Sequence, residues 1–198
     1  MPQRRTQEQR LPMTGEAMEV AEATLLACVA NGDRQAFDKL YRQYFPRLAR
    51  FLGRMARNPL LVEEVINDTM LVVWQKAQSY NASCKVSTWV FAIAYRKALK
   101  AIKWEDIPVD AEIAEIASEE SAPEPLAEQR ELHQAVARAL DQLPIPHRVA
   151  VVLAFYHDMD YAEIADVTGA PVNTVKTRMF HARRKLKELL ANEREASR

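Results

Sequence analysis

Residues 160–190 read DYAEIADVTGAPVNTVKTRMFHARRKLKELL. Asp160 stands before a short apolar-periodic run with Glu163 three residues on, a capping-box arrangement. Gly169 closes that short helix, and Pro171 stands near the start of the next one. A short helix, a turn containing Gly and a second, basic helix describe a helix-turn-helix. Ile164 and Ala165 on the first helix, and Val172 and Val175 on the second, are expected to form the small apolar contact between them. From Val172 to Lys187 the second helix carries six Lys/Arg and no acid, yet the whole chain sums to zero net charge. Any nucleic-acid binding is therefore local and works through patches.

Working outward, the 198 residues suffice for one large domain or two small ones. Apolar residues make up 48% of the chain, so a real core can be buried, and Gly is scarce. Apolar residues recur at three- and four-residue spacing, which predicts an all-α protein. Residues 105–128 hold nine acids, three prolines and no Lys or Arg, the pattern of an acidic linker. It divides a first domain, 21–104, from a second, 128–192, with the linker assigned to 105–127. Residues 1–20 and 193–198 read as tails. In the first domain a helix ends near Gly32. Asp33 caps a second, whose apolar face is Phe37, Leu40, Tyr41, Tyr44, Leu48 and Leu52 and in which Pro46 predicts a kink or break. A third helix follows Asn58-Pro59, then a polar loop and a fourth helix. In the second domain an amphipathic helix stops at Leu143-Pro144, and Pro146 starts the next.

Two patches carry candidate nucleic-acid chemistry. On the basic helix, Asn173, Thr174, Lys176, Thr177, Phe180 and His181 lie near the N-terminal half, the part that enters the major groove in such motifs. Lys176 can donate to a guanine edge or a phosphate, Asn173 can bond adenine, and Thr177 can touch a thymine methyl. Arg178, Arg183, Arg184 and Lys187 suit phosphates, which add affinity without reading sequence. The second patch is the fourth helix, where Arg96, Lys97, Lys100 and Lys103 occur without an acid. Before it lies the loop Ser79, Tyr80, Asn81, Ala82, Ser83. An aromatic with small hydrogen-bonding neighbours beside a basic helix can hold an unstacked base. Trp89, Ile93 and Leu99 read as core.

Two segments carry a family resemblance. LLVEEVINDTMLVVWQKAQSYNASCKVSTWVFAIAYRKAL resembles region 2, and LDQLPIPHRVAVVLAFYHDMDYAEIADVTGAPVNTVKTRMFHARRKLKELL resembles region 4, of the extracytoplasmic-function (group IV) sigma factors of bacterial RNA polymerase. Leu143-Pro144, Arg148, Tyr161, Glu163-Ile164-Ala165, Thr174-Val175-Lys176, Arg178 and Ala182-Arg183 follow the family pattern. The resemblance implies that the third helix, through Glu64, Asn67, Asp68 and Trp74, binds the clamp helices of the polymerase largest subunit. It implies that the 79–83 loop and the following helix, with Arg96, Lys97 and Lys100, melt the −10 element and capture a flipped base. The basic helix would read the −35 element as duplex, and the linker would thread the polymerase cleft. An anti-sigma factor would hold the protein inactive. Arg96 stands where the family commonly has Asn, so the detail of −10 recognition does not carry over. Asn173 stands where Gly is frequent and His181 where Arg is frequent, so the −35 sequence does not carry over either.

The expected partners are therefore core RNA polymerase, promoter DNA and a cognate anti-sigma factor. The expected site is cytoplasmic, with no membrane insertion: no apolar run approaches a membrane span, and the N-terminus lacks an apolar signal core. Cys28 and Cys84 show no pairing pattern, and the histidines and cysteines have no zinc-type spacing, so no cofactor or metal is expected. No nucleophile–base pair or phosphate-cradling Gly loop stands in the sequence, and Glu63 and Glu64 point to different sides of a helix. The chain is therefore expected not to be an enzyme. Two other readings fit the helix-turn-helix: an operator-binding repressor or activator, and a helical module whose basic faces meet an acidic protein.

Overall fold

The computed structural model describes residues 15–105 and 127–196. The expected linker therefore lies almost wholly outside the described residues. All regular structure among the described residues is helical. The first half comprises α1 (Gly15–Ala30), α2 (Arg34–Leu52), α3 (Pro59–Lys76) and α4 (Val86–Glu105), with one 3-10 turn, Ala77–Ser79, after α3. The second half comprises α5 (Ala127–Asp141), α6 (Ile145–Tyr156), α7 (Tyr161–Thr168) and α8 (Val172–Ala196).

The caps follow the local sequence. Asp33 accepts from the backbone of Gln35 and Ala36 at the head of α2, and Asn58 accepts from Leu60 and Leu61 at the head of α3. These side chains satisfy amides that a helix start leaves unpaired. Gly32 takes a φ of +84°, a conformation that other residues adopt only with strain, and so turns the chain from α1 into α2.

Four expectations change. Residues 15–20 belong to α1, so the N-terminal tail is shorter than the sequence suggested. α1 hides its start because its exposure is inverted: Glu22 is buried, whereas Met18 and Val20 are exposed. α8 runs through residues 193–196, which had read as tail. Pro46 neither breaks nor ends α2, which continues to Leu52. Tyr44 and Leu48 are fully buried on either side of the exposed Pro46, and that packing holds the helix together across the missing N–H. Val172, expected in the contact between the last two helices, is exposed, whereas Ile164 and Val175 are fully buried.

The core of the first half is built on Leu40, Tyr44, Leu48 and Phe51 of α2, Ile66, Met70 and Val73 of α3, and Val90, Phe91 and Ala94 of α4. Glu22 sits inside it, accepting from the Tyr44 hydroxyl at 2.6 Å and paired with Arg47 at 2.6 Å. Arg47 also lies over the Tyr44 ring at 4.7 Å, so the buried carboxylate has both charge and hydrogen bonds satisfied. The second half packs Val149–Leu153 of α6 against Ile164, Val175, Met179 and Ala182. Arg148 ties the turn before α6, donating to the carbonyls of Asp141 and Leu143 at 2.6 and 3.0 Å.

Candidate nucleic-acid interface

α7 is set by the capping box read from the sequence. Asp160 accepts from the amides of Ala162 and Glu163 at 2.8 and 2.9 Å, and Glu163 accepts in return from the Asp160 amide at 2.9 Å. Gly169 closes the helix at φ +67°. This fixes where α8 begins and which way it faces. Val175, Met179 and Ala182 turn inward. Asn173, Lys176, Thr177, Phe180, Arg183, Arg184 and Lys187 are exposed and recur at helical spacing along the outer side. Lys176, Phe180, Arg183, Arg184 and Lys187, with Tyr161 and Met179, line an open cleft of about 420 Å³. Arg183 lies over the exposed Phe155 ring at 5.6 Å.

The other expected residues of this patch sit differently. Thr174, Arg178 and His181 are half-buried. His181 stacks against His147, with centroids 6.2 Å apart. Burial, His181 and Arg178 together hold His147 below its ordinary value, so it favours the neutral form. The Thr177 hydroxyl donates to the Asn173 carbonyl at 2.9 Å, which holds its methyl in a fixed rotamer.

In the second patch, the loop after α3 is internally bonded. The Tyr80 hydroxyl donates to the Cys84 carbonyl at 2.6 Å, and its ring lies 5.6 Å from Trp89. Burial raises the Tyr80 hydroxyl above its ordinary value and keeps it a donor. Asn81 accepts from the Ser83 amide at 3.1 Å, an Asx turn that carries Ala82 at φ 55°. Ser79, Asn81, Ala82 and Ser83 are exposed around the half-buried Tyr80. Arg96 and Lys100 are exposed on α4. Lys97 instead reaches across to Asp68 on α3 at 2.7 Å.

That ion pair joins residues expected to serve different partners. On α3, Glu64, Asn67 and Asp68 share an exposed face with Leu60 and Leu71. Asn67 accepts from the Tyr41 hydroxyl at 2.8 Å. Trp74 is half-buried and meets Phe37 edge-on at 5.2 Å, so much of its ring is spent on packing within the domain. Among the described residues no group of three His, Cys, Asp or Glu could hold a metal ion. No helix there is long and apolar enough to cross a membrane.

Family comparisons match these two helical units one by one. The family model for sigma-70 region 2 matches residues 40–106, and that for sigma-70 region 4 matches residues 133–186. The ECF RNA polymerase sigma factor SigM of Mycobacterium tuberculosis is 31% identical over 179 residues, covering 89% of this chain and 88% of its own. The chain belongs to the ECF RNA polymerase sigma factors. As a sigma factor it directs core RNA polymerase to promoters. The fold agrees. CnrH, solved in complex with the cytosolic domain of CnrY, superposes with a TM-score of 0.65 at 25% identity, covering 87% of this chain and 98% of that one. RpoE of Bartonella quintana, solved with the anti-sigma factor NepR, superposes at 0.63 with 22% identity, covering 78% and 96%.

Sequence reasoning missed three features of this sigma factor. Glu22 and Arg47 form the buried pair of region 2. Lys85 and Thr88 meet Glu163 of region 4. His157 packs against the touching pair Phe51 and Phe91 of region 2. The first was findable from an acid among apolar residues in α1. The other two cross between domains and leave no periodic trace.

Proposed function

We propose that this sigma factor reads the −35 element as duplex through the outer side of α8 and opens the −10 element with the 79–83 loop and α4. The observation that carries the reading is the exposed stripe Asn173, Lys176, Thr177, Phe180, Arg183 and Arg184, which follows directly on the capped α7. Asn173, Lys176 and Thr177 face base edges from the N-terminal half, whereas the arginines further along neutralise phosphates. Arg178 and His181, half-buried, support the ends of that contact. In region 2, Ser79, Asn81, Ala82 and Ser83 around Tyr80 receive the flipped base, with Arg96 and Lys100 on the strand backbone and Lys97 freed from Asp68 when DNA competes for it. Glu64, Asn67 and Asp68 on the outer face of α3 dock on core polymerase, with Trp74 shaping that face from beneath. The linker, 105–127, spans the two domains inside the polymerase.

Strand opening here is driven by binding. Extruding a base costs a few kcal/mol, and stacking and charge contacts to the captured strand, about 1–3 kcal/mol per stacked base, offset it. The polymerase performs the chemistry, and the sigma factor has no catalytic group of its own. It acts in the cytoplasm, held in check by a cognate anti-sigma factor, the class of partner with which the Bartonella RpoE was solved.

The test is co-purification of the full chain with bacterial core polymerase, followed by run-off transcription from a promoter library. Core binding with selective initiation is expected. A chain that ignores core polymerase but footprints duplex sites alone would instead be an operator-binding regulator.

A further inference from the structure

Regions 2 and 4 pack directly against each other. Val90–Tyr95 of α4 are six consecutive buried residues, so this stretch is covered on every side. A surface helix of a self-sufficient bundle keeps one face in water. On α4 the remaining side is met by region 4. Thr88, 1% exposed, donates to Glu163 of α7 at 3.5 Å. Two helical turns on, Tyr95, 7% exposed, feels the charge of Arg178 of α8. Lys85, just before α4, bridges Glu163 at 3.3 Å and Glu19 of α1 at 2.6 Å. Arg148 donates across the same boundary to the Arg54 carbonyl at 2.9 Å.

The most telling contact is His157, in the turn between α6 and α7. Its ring lies 4.6 Å from Phe91 of α4 and 6.2 Å from Phe51 of α2, in a tilted and an edge-on arrangement. Its Nε2 is buried without a hydrogen-bond partner among the described residues. A buried imidazole nitrogen with nothing to bond is tolerable as a neutral ring among aromatics and costly as a cation.

This arrangement cannot span a promoter. Elements at −35 and −10 lie roughly 25 base pairs apart, or about 85 Å at 3.4 Å per base pair, whereas α4 and α7 are in contact. The chain from 105 to 127 reaches about 70 Å when extended, enough to let the domains part. Phe51 and Phe91 also touch each other, with centroids 5.3 Å apart, so the three rings form one cluster. We propose that the free sigma factor holds itself closed by seating His157, as a neutral imidazole, against the Phe51–Phe91 pair, and that this latch must open before the α4 face and α8 engage promoter DNA together. The second clause rests on the promoter-reading roles proposed above; the closure itself does not.

Charge around the latch gives it a proton dependence. α2 presents Arg47 and Arg50, Arg47 being bonded to Glu22 of α1, and α4 presents the uncharged Phe91. Asp158 and Asp160, on the same turn as His157, are exposed. Burial first, then Arg47 and Arg50, lower His157 from its ordinary 6.5 to about 4. Once the latch opens, the ring regains its ordinary value. Its contribution to closure is therefore full above about pH 6.5 and is lost as pH falls from there toward about 4. One pH unit below 6.5, the closed-to-open ratio is down about tenfold.

Small-angle scattering of the full chain, with far-UV circular dichroism alongside, tests this between about pH 7.5 and about pH 5.5. The wild-type chain is expected to be compact at the higher pH and to expand at the lower one with its helicity kept. His157→Phe fills the same aromatic site and cannot be protonated, so it should stay compact at both. No expansion of the wild type, or an expansion that His157→Phe shares, overturns the latch. Failure of the run-off assay would sink the promoter-reading roles and leave the scattering result standing.

Discussion

Glu163 carries several contacts on one half-buried carboxylate. One oxygen accepts from the Asp160 amide; the other meets the Thr88 hydroxyl and the Lys85 ammonium. Its capping role was legible in the sequence, because the box is a local pattern with fixed spacing. Its partners in region 2 were not, because they stand about 75 residues away and nothing periodic links them. Lys176 is the opposite case. Its exposure on the outer side of α8 follows from its position between Val175 and Met179, which are buried. Lys176→Ala is expected to lower −35 selectivity by about tenfold, the effect of losing one base-edge contact of about 1–3 kcal/mol. Holoenzyme binding to duplexes with single −35 substitutions, measured at several salt concentrations, checks it. A uniform loss across sequences, with the log–log salt slope shallower by about 0.9, would reassign Lys176 to a phosphate.

At the scale of elements, what the sequence disclosed was what local chemistry dictates. Asp33, Asn58, Asp160 and Gly169 each mark a boundary that the structure keeps. The misreadings came where tertiary packing overrides a local signal. α2 continues through Pro46 because Tyr44 and Leu48 anchor both sides of it. α1 was read short because its core position is filled by Glu22 while Val20 faces out, the reverse of the usual amphipathic pattern. The candidate −10 loop was identified by composition alone. Its internal bonds, from Tyr80 to Cys84 and from Ser83 to Asn81, mean that it is already shaped before any base arrives. The best-defined short element, α7, permits a sharp test. Asp160→Ala removes the acceptor for the Ala162 and Glu163 amides, while the backbone N–H of residue 160, from which the Glu163 side chain accepts, remains. It is expected to destabilise the chain by about 1 kcal/mol in urea unfolding. Asp160→Asn, which keeps an acceptor, should recover most of that.

For the whole molecule, the question is what balance keeps two small domains together in the free state. Aromatic packing around His157 supplies an apolar part; the Lys85 bridge supplies a charged part that pH near neutrality leaves untouched. Lys85 is the more informative lever because it is half exposed and touches neither domain's core. Exposed ion pairs of this kind contribute about 0.2–1 kcal/mol each. Only the pair with Glu163 crosses to region 4; the pair with Glu19 lies within region 2. Lys85→Glu removes the crossing pair and sets a carboxylate against Glu163, a change of about 1 kcal/mol against closure. The open population is then expected to rise about fivefold at neutral pH, where His157 is still neutral. Scattering at about pH 7.5 should show the variant more extended than the wild type. Hydrogen exchange should rise along α7 while the buried amides of α2 and α3 stay protected, since those helices lie within region 2. Raising the salt should loosen the wild type toward the variant, because the bridge is screened and the aromatic contact is not. A Lys85→Glu chain as compact as the wild type would mean that the Lys85 bridge adds nothing to closure, which then rests on the aromatic contact and the Arg148 and Thr88 hydrogen bonds.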